Sequence, residues 1–98
     1  MTNDLISIIM SSFNSEKTIE ESILSILNQD YKNIEFLIAD DGSTDNTLKI
    51  IKKLKENDQR IKIIENTKNV GLTKSLNQLL KISNGRYIAR QDSDDLSF

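Results

Sequence analysis

The chain has no cysteine, no histidine and no proline, and its 98 residues include only three glycines, two tyrosines and three phenylalanines. Without cysteine there is no disulfide and no zinc-thiolate site, and without histidine the commonest general base and metal ligand is missing. Any chemistry must rest on carboxylates, hydroxyls, amides, lysine and arginine. No Pro/Gly-rich linker, low-complexity stretch or internal repeat divides the sequence, so one domain is expected. No apolar run is long enough to span a bilayer, so no transmembrane segment is expected in this chain. The N-terminus lacks the basic region and cleavage site of a secretory signal. The expected setting is therefore cytoplasmic, at most membrane-peripheral in a longer protein. A formal net charge of −2 provides no basic field for a nucleic-acid backbone, so nucleic acid is not an expected partner.

What is present is a regular alternation. Leu5-Ile6-Ser7-Ile8-Ile9-Met10 is a β-branched apolar run without clean alternation, as expected of a strand covered on both faces. Ile19, Ile23, Ile26 and Leu27 recur at helical spacing, with Asn14 or Ser15 as N-cap and an end near Gln29. Ile34-Glu35-Phe36-Leu37-Ile38-Ala39 reads as a second buried strand, and Leu48, Ile51 and Leu54 mark a second helix. A third strand covers residues 61–65, and Leu72, Leu76, Leu79 and Leu80 line a third helix that Asn84-Gly85 would stop, Gly taking the left-handed conformation. Arg86-Tyr87-Ile88-Ala89-Arg90 reads as a fourth buried strand. The expected fold class is α/β, a Rossmann-like β-α-β-α-β-α-β parallel sheet with helices on both faces. Such sheets carry their sites at the C-terminal strand ends.

Residues 11–14, 40–41, 66–69 and 92–95 all fall on that edge. Asp40-Asp41-Gly42-Ser43 has a purely structural reading as a tight turn and cap, and a functional one in which an ionised Asp accepts the imide N–H of a uracil or thymine. Asp92-Ser93-Asp94-Asp95 is either a solvated acidic tail or a cluster that repels itself until a hard cation such as Mg²⁺ or Mn²⁺ takes up its charge. Its place directly after a strand favours the second, and an EF-hand is excluded because Ser97 stands where that loop needs Gly. Phe13 reads as a core or hinge aromatic, or as a platform for a base. Asn69-Val70-Gly71 reads as a loop-to-helix cap, or as an anion site at a helix N-terminus. Neither a G-x-G-x-x-G after the first strand nor a G-x-x-x-x-G-K-[ST] occurs, which argues against dinucleotide oxidoreductases and P-loop NTPases.

Taken together, Ile8-Ile9-Met10-Ser11-Ser12-Phe13-Asn14, Ile38-Ala39-Asp40-Asp41-Gly42-Ser43-Thr44-Asp45, Asn69-Val70-Gly71 with Asn77, and Gly85-Arg86-Tyr87-Ile88-Ala89 leading into Asp92-Ser93-Asp94-Asp95 resemble the family 2 inverting glycosyltransferases of GT-A fold. The resemblance covers essentially the whole chain. It implies that residues 1–98 are the N-terminal, nucleotide-sugar-binding part of a glycosyltransferase domain, truncated after the D-x-D motif. The longer protein would transfer a sugar from a nucleoside diphosphate sugar, UDP-sugar favoured, to an acceptor hydroxyl with inversion. By the same resemblance Ser11, Phe13, Asp41 and Asp92 would bind the nucleotide, Phe13 stacking on the base, Asp41 accepting its N–H and Asp92 lying by the ribose. Asp94 would hold the divalent cation, Mn or Mg, with Asp95 in support. No catalytic residue is implied in this chain, since the base that deprotonates the acceptor is expected beyond Phe98. Where many relatives read Pro-x-Tyr-Asn, this chain has Ser11-Ser12-Phe13-Asn14, which keeps stacking and removes a hydroxyl. A receiver-type phosphoacceptor module is the alternative, but its acidic positions would fall at Ser11-Ser12 and Glu65-Asn66. A non-catalytic α/β nucleotide- or metal-binding domain is the third possibility.

Overall fold

The structure is a computed structural model that describes residues 3–93; Asp94 and Asp95 lie outside the described residues. Its elements follow in the order β1 (Ile6–Ser12), α1 (Ile19–Leu27), β2 (Ile34–Asp41), α2 (Thr47–Asn57), β3 (Ile61–Asn66), α3 (Leu72–Ile82) and β4 (Tyr87–Arg90). The strands form one parallel sheet in the order β3-β2-β1-β4. Successive side chains of a strand point to opposite faces, so each central strand feeds two cores. Ile8, Met10, Phe36 and Ile38 pack with Ile19, Ile23 and Ile26 of α1 and Ile51 of α2 on one face. Ile9, Leu37 and Ala39 meet Leu79 of α3 on the other. β2 lies inside the sheet and is buried along its entire length, which accounts for the apolar run Phe36 to Ala39 without polar alternation.

The chain builds outward from β1 to β3 and then returns to place β4 on the opposite side of β1. The strand order reverses between β1 and β4, and parallel sheets of this kind open a crevice at their C-terminal ends at that point.

The α/β alternation predicted from the residue pattern is present, with four local differences. All four residues of β4 are exposed rather than buried, because β4 pairs with β1 alone and α3 packs its apolar face on β1 and β2. Helix α1 starts at Ile19 with Thr18 at its N-cap, so neither Asn14 nor Ser15 caps it. Asn14 has φ 48°, and a turn intervenes in which the N–H groups of Thr18 and Ile19 donate to the Ser15 carbonyl at 3.1 and 2.9 Å. Helix α3 stops at Ile82, and Gly85 is absent from the glycines of positive φ. A glycine is needed there for close approach: a Cβ on Gly85 would stand 2.4 Å from the Ser7 nitrogen and 2.5 Å from its Oγ. Finally, β1 and β2 run on through Ser12 and Asp41, with Ser12 opposite Asp40.

Candidate functional site

At the reversal point lies an open cleft of about 610 Å³, lined by Ser11 from the end of β1, by residues 14–18 of the β1–α1 loop, by Arg90 at the end of β4 and by Asp92 and Ser93 after it, with Asp45 and Leu72 closing it. Of the residues assigned to nucleotide binding, the cleft gathers Ser11 and Asp92 and leaves out Phe13 and Asp41. Ser11 donates its hydroxyl to Ser75 Oγ of α3 at 2.8 Å. Asp92 is exposed, and Arg90 Nε donates to its Oδ1 at 3.2 Å. Arg90 is a residue that reading the sequence missed. Its signal was available: on a strand, positions two apart share a side, which puts a cation beside the first carboxylate of the acidic run. Phe13 sits on the same edge with 46% of its surface exposed, large for an aromatic side chain and suited to stacking on a planar ligand.

The loops that frame the cleft are bound to one another. Asn14 Oδ1 accepts the N–H of Thr44 at 2.8 Å, and the N–H of Asn14 donates to Ser43 Oγ at 2.9 Å. The N–H of Ser15 donates to Thr47 Oγ1 at 2.7 Å, while Asn46 N–H and Glu16 Oε2 pair at 3.2 Å. Asp45 completes the join by accepting from the N–H of Thr47 at 2.9 Å, its hydroxyl at 2.6 Å, and the N–H of Glu16 at 3.3 Å. Slight desolvation raises its pKa, but these hydrogen bonds to the charged form outweigh it and hold the carboxyl below the usual aspartate value. It is the carboxylate of Asp45, one residue ahead of the α2 N-cap, that serves the start of that helix.

Asp40 and Asp41 are both buried, and they differ in what they bind. Asp41 Oδ1 accepts from Asn66 Nδ2 at 3.1 Å and from the N–H of Val70 at 2.9 Å, and its Oδ2 accepts from the N–H of Gly71 at 3.0 Å. Asn69 Nδ2 reaches the Asp41 carbonyl at 3.2 Å. The N–H groups ahead of α3, read above as a possible anion site, are thus taken by a carboxylate of the chain itself. A carboxylate offers about four acceptor positions, so Asp41 keeps one, on Oδ2. Asp40 Oδ2 accepts the N–H of Ser43 at 3.2 Å, while its Oδ1 is buried with no partner among the described residues. Gly42, at φ 80°, lets the two loops touch: a Cβ there would lie 2.5 Å from the Lys68 carbonyl carbon and 2.6 Å from the Asn69 nitrogen.

Among the described residues no three acidic side chains converge as a metal site, and the two residues assigned to the cation, Asp94 and Asp95, are outside them. The donor set in question is all carboxylate, which matches hard cations such as Mg²⁺ and Mn²⁺. Among the described residues no helix is long and apolar enough to cross a membrane.

Residues 7–97 match the family described as Glycosyl transferase family 2. The chain is 52% identical over 94 residues to the putative glycosyltransferase EpsE of Bacillus subtilis, covering 95% of this chain and 34% of that protein. It is 49% identical over 92 residues to WfaP of Escherichia coli, named as a UDP-Glc:alpha-D-GlcNAc-diphosphoundecaprenol beta-1,3-glucosyltransferase, covering 94% of this chain and 36% of that one. Among solved structures it is similar to S. aureus TarS in complex with UDP, with a TM-score of 0.85, 36% identity, and coverage of 93% of this chain and 28% of that chain. It is also similar to the mannosyltransferase PcManGT of Pyrobaculum calidifontis in complex with GDP-Man and Mn²⁺, with a TM-score of 0.87, 27% identity, and coverage of 93% and 28%. The chain spans about a third of the length of the curated relatives it matches.

Proposed function

The chain belongs to glycosyl transferase family 2, and from that premise we propose that it is the donor-binding half of an enzyme that transfers a sugar from a nucleoside diphosphate sugar to an acceptor hydroxyl with inversion. The observation that carries this reading is the cleft between the ends of β1 and β4, where Ser11, Arg90 and Asp92 meet at the point of strand reversal.

In this reading Phe13 stacks on the base and the remaining acceptor position of Asp41 takes the base N–H. Ser11 and Asp92 receive the nucleoside, with the carboxylate of Asp92 facing hydroxyls of the sugar ring. Lys17 and Arg90 line the cleft and bring positive charge to a diphosphate. A divalent cation held by Asp94 and Asp95, Mn²⁺ or Mg²⁺, would offset the charge that gathers on the departing diphosphate. Uridine is the proposed nucleoside. The base that deprotonates the acceptor is assigned to the portion of the relatives that extends past this match, and the acceptor is unspecified. The proposal includes a cytoplasmic setting, checked by fractionating cells that express the protein.

Calorimetric titration with UDP, with and without Mn²⁺ and with ADP as control, tests the reading. Selective, Mn²⁺-enhanced binding of UDP is expected, and equal binding of ADP or none of either would overturn it.

A further inference from the structure

We propose that three hydroxyls on one side of α1 and its entry turn, those of Ser15, Thr18 and Ser22, are positioning residues that fix the backbone at Asp92 and Ser93, where the acidic segment begins. The proposal rests on the donor-binding reading above.

The last hydrogen bond of β4 to the sheet runs from the N–H of Gln91 to the carbonyl of Ile9 at 3.0 Å. At Asp92 and Ser93 the backbone must find other partners or meet water. Ser22 Oγ donates to the Asp92 carbonyl at 3.0 Å, Thr18 Oγ1 donates to the Ser93 carbonyl at 3.1 Å, and the hydroxyls of Ser15 and Ser93 pair at 3.0 Å. Positions 15, 18 and 22 are spaced by three and four, the interval that aligns side chains along one helical face. Two consecutive carbonyls held against α1 fix the backbone at Asp92 and Ser93, and with it the point from which Asp94 and Asp95 follow in the chain. The Asp92 carboxylate is left lining the cleft, where Arg90 Nε meets its Oδ1 at 3.2 Å.

Ser22 is the residue whose presence most needs a reason. It is fully buried among Ile19, Ile23 and Ile26, on the face that α1 turns to the core. A buried hydroxyl costs stability unless it is hydrogen-bonded, so an apolar side chain would be the cheaper occupant. Its single proton has two acceptors in reach, the Asp92 carbonyl at 3.0 Å and Met10 Sδ at 3.9 Å, and the nearer, stronger acceptor takes it. Neutral donors also suit the place, since they fix the backbone without adding a charge beside carboxylates proposed to hold a cation.

The test uses the full 98-residue chain with three variants: Thr18→Val, which keeps shape and removes the donor, the double variant Thr18→Val/Ser22→Ala, and Thr18→Ser, which restores the donor. Amide hydrogen exchange at Gln91, whose N–H bonds the Ile9 carbonyl, and calorimetric binding of UDP with and without Mn²⁺ are read together. Thr18→Val and the double variant are expected to speed exchange at Gln91, as the end of β4 loses its hold on α1, and leave the amides of β2 protected. From the worth of one or two hydrogen bonds, Mn²⁺-supported UDP binding should weaken by about tenfold or more in the double variant. Metal-free UDP binding should change little, and Thr18→Ser should behave as the parent. Unchanged exchange at Gln91 in both donor-lacking proteins would overturn the proposal, and so would faster exchange with undiminished Mn²⁺ enhancement. In either case the parent still binds UDP and the donor-binding reading survives. Failure of the parent to bind UDP would overturn that reading, and the positioning role with it.

Discussion

The sheet buries one carboxylate, Glu35, near its N-terminal end and two, Asp40 and Asp41, at its C-terminal end, and Glu35 and Asp40 are treated differently. Glu35, near the N-terminal ends of the strands, is 5% exposed and saturated. Its Oε2 accepts from the Ser7 hydroxyl and the N–H of Asn84, and Lys62 Nζ lies 3.1 Å from its Oε1. Ser7 Oγ in turn accepts the N–H of Gly85 at 2.7 Å. Burial pushes the Glu35 pKa up, but the hydrogen bonds from Ser7, Asn84 and Lys62 and the Lys62 charge outweigh it and hold the carboxyl at about 2. At the opposite end Asp40 is 2% exposed, makes one bond to the N–H of Ser43, and leaves Oδ1 without a partner among the described residues. A carboxylate that ties strands together is surrounded by donors. Asp40, on the edge that carries the cleft but outside its lining, keeps acceptor capacity on Oδ1 among the described residues, at a cost in stability.

The severest way to break the anchored end is Gly85→Ala. Its Cβ would collide with the backbone of Ser7, and a loss on the order of 3 kcal/mol or more is expected by urea unfolding. Next comes Glu35→Gln. Its folded pKa lies below the ordinary glutamate value of 4.5, so the stability it contributes is present above that value and fades as pH falls from 4.5 towards 2. At pH 7 the variant should be less stable by about 2–3 kcal/mol, and unfolding curves of the two proteins should converge as the pH is lowered through that window. Asp40→Asn should shift stability by no more than about 1 kcal/mol in either direction by the same assay, since the lost charge is the less well partnered one. A loss as large as that of Glu35→Gln would erase the contrast. Phe13→Ala, at an exposed position, should change stability by about 0.5 kcal/mol or less while weakening UDP binding by calorimetry about tenfold, the loss of one stacked base.

How much of this was visible in the residues varies by region. The strands and helices were, because mostly apolar runs such as 5–10 and 34–39 and the recurrence of Ile19, Ile23 and Ile26 leave little choice of period. The exposure of β4 was not, since a four-residue strand reads alike at an edge or a centre, and its burial depends on what lies beside it. Glu35 was counted merely as part of a strand, because its partners come from positions 7, 62 and 84. For the same reason Gly85 was read as a helix stop when its role is to admit Ser7. On the site edge, motif order put Ser11 and Asp92 at strand ends, and both line the cleft there. The commitment of Asp41 to Asn66, Val70 and Gly71 and the part played by Thr18 and Ser22 required the fold, because these contacts join segments distant in sequence.

The central claim is that one end of the sheet is open to a nucleoside diphosphate and the other is closed by its own bonds. Backbone amide shift mapping with UDP and Mg²⁺ tests it most directly. Perturbations should gather at residues 11–18, 40–43 and 90–93 and spare Ser7, Glu35, Lys62 and Gly85. Shifts centred on the Glu35 end, or spread evenly over both, would contradict it.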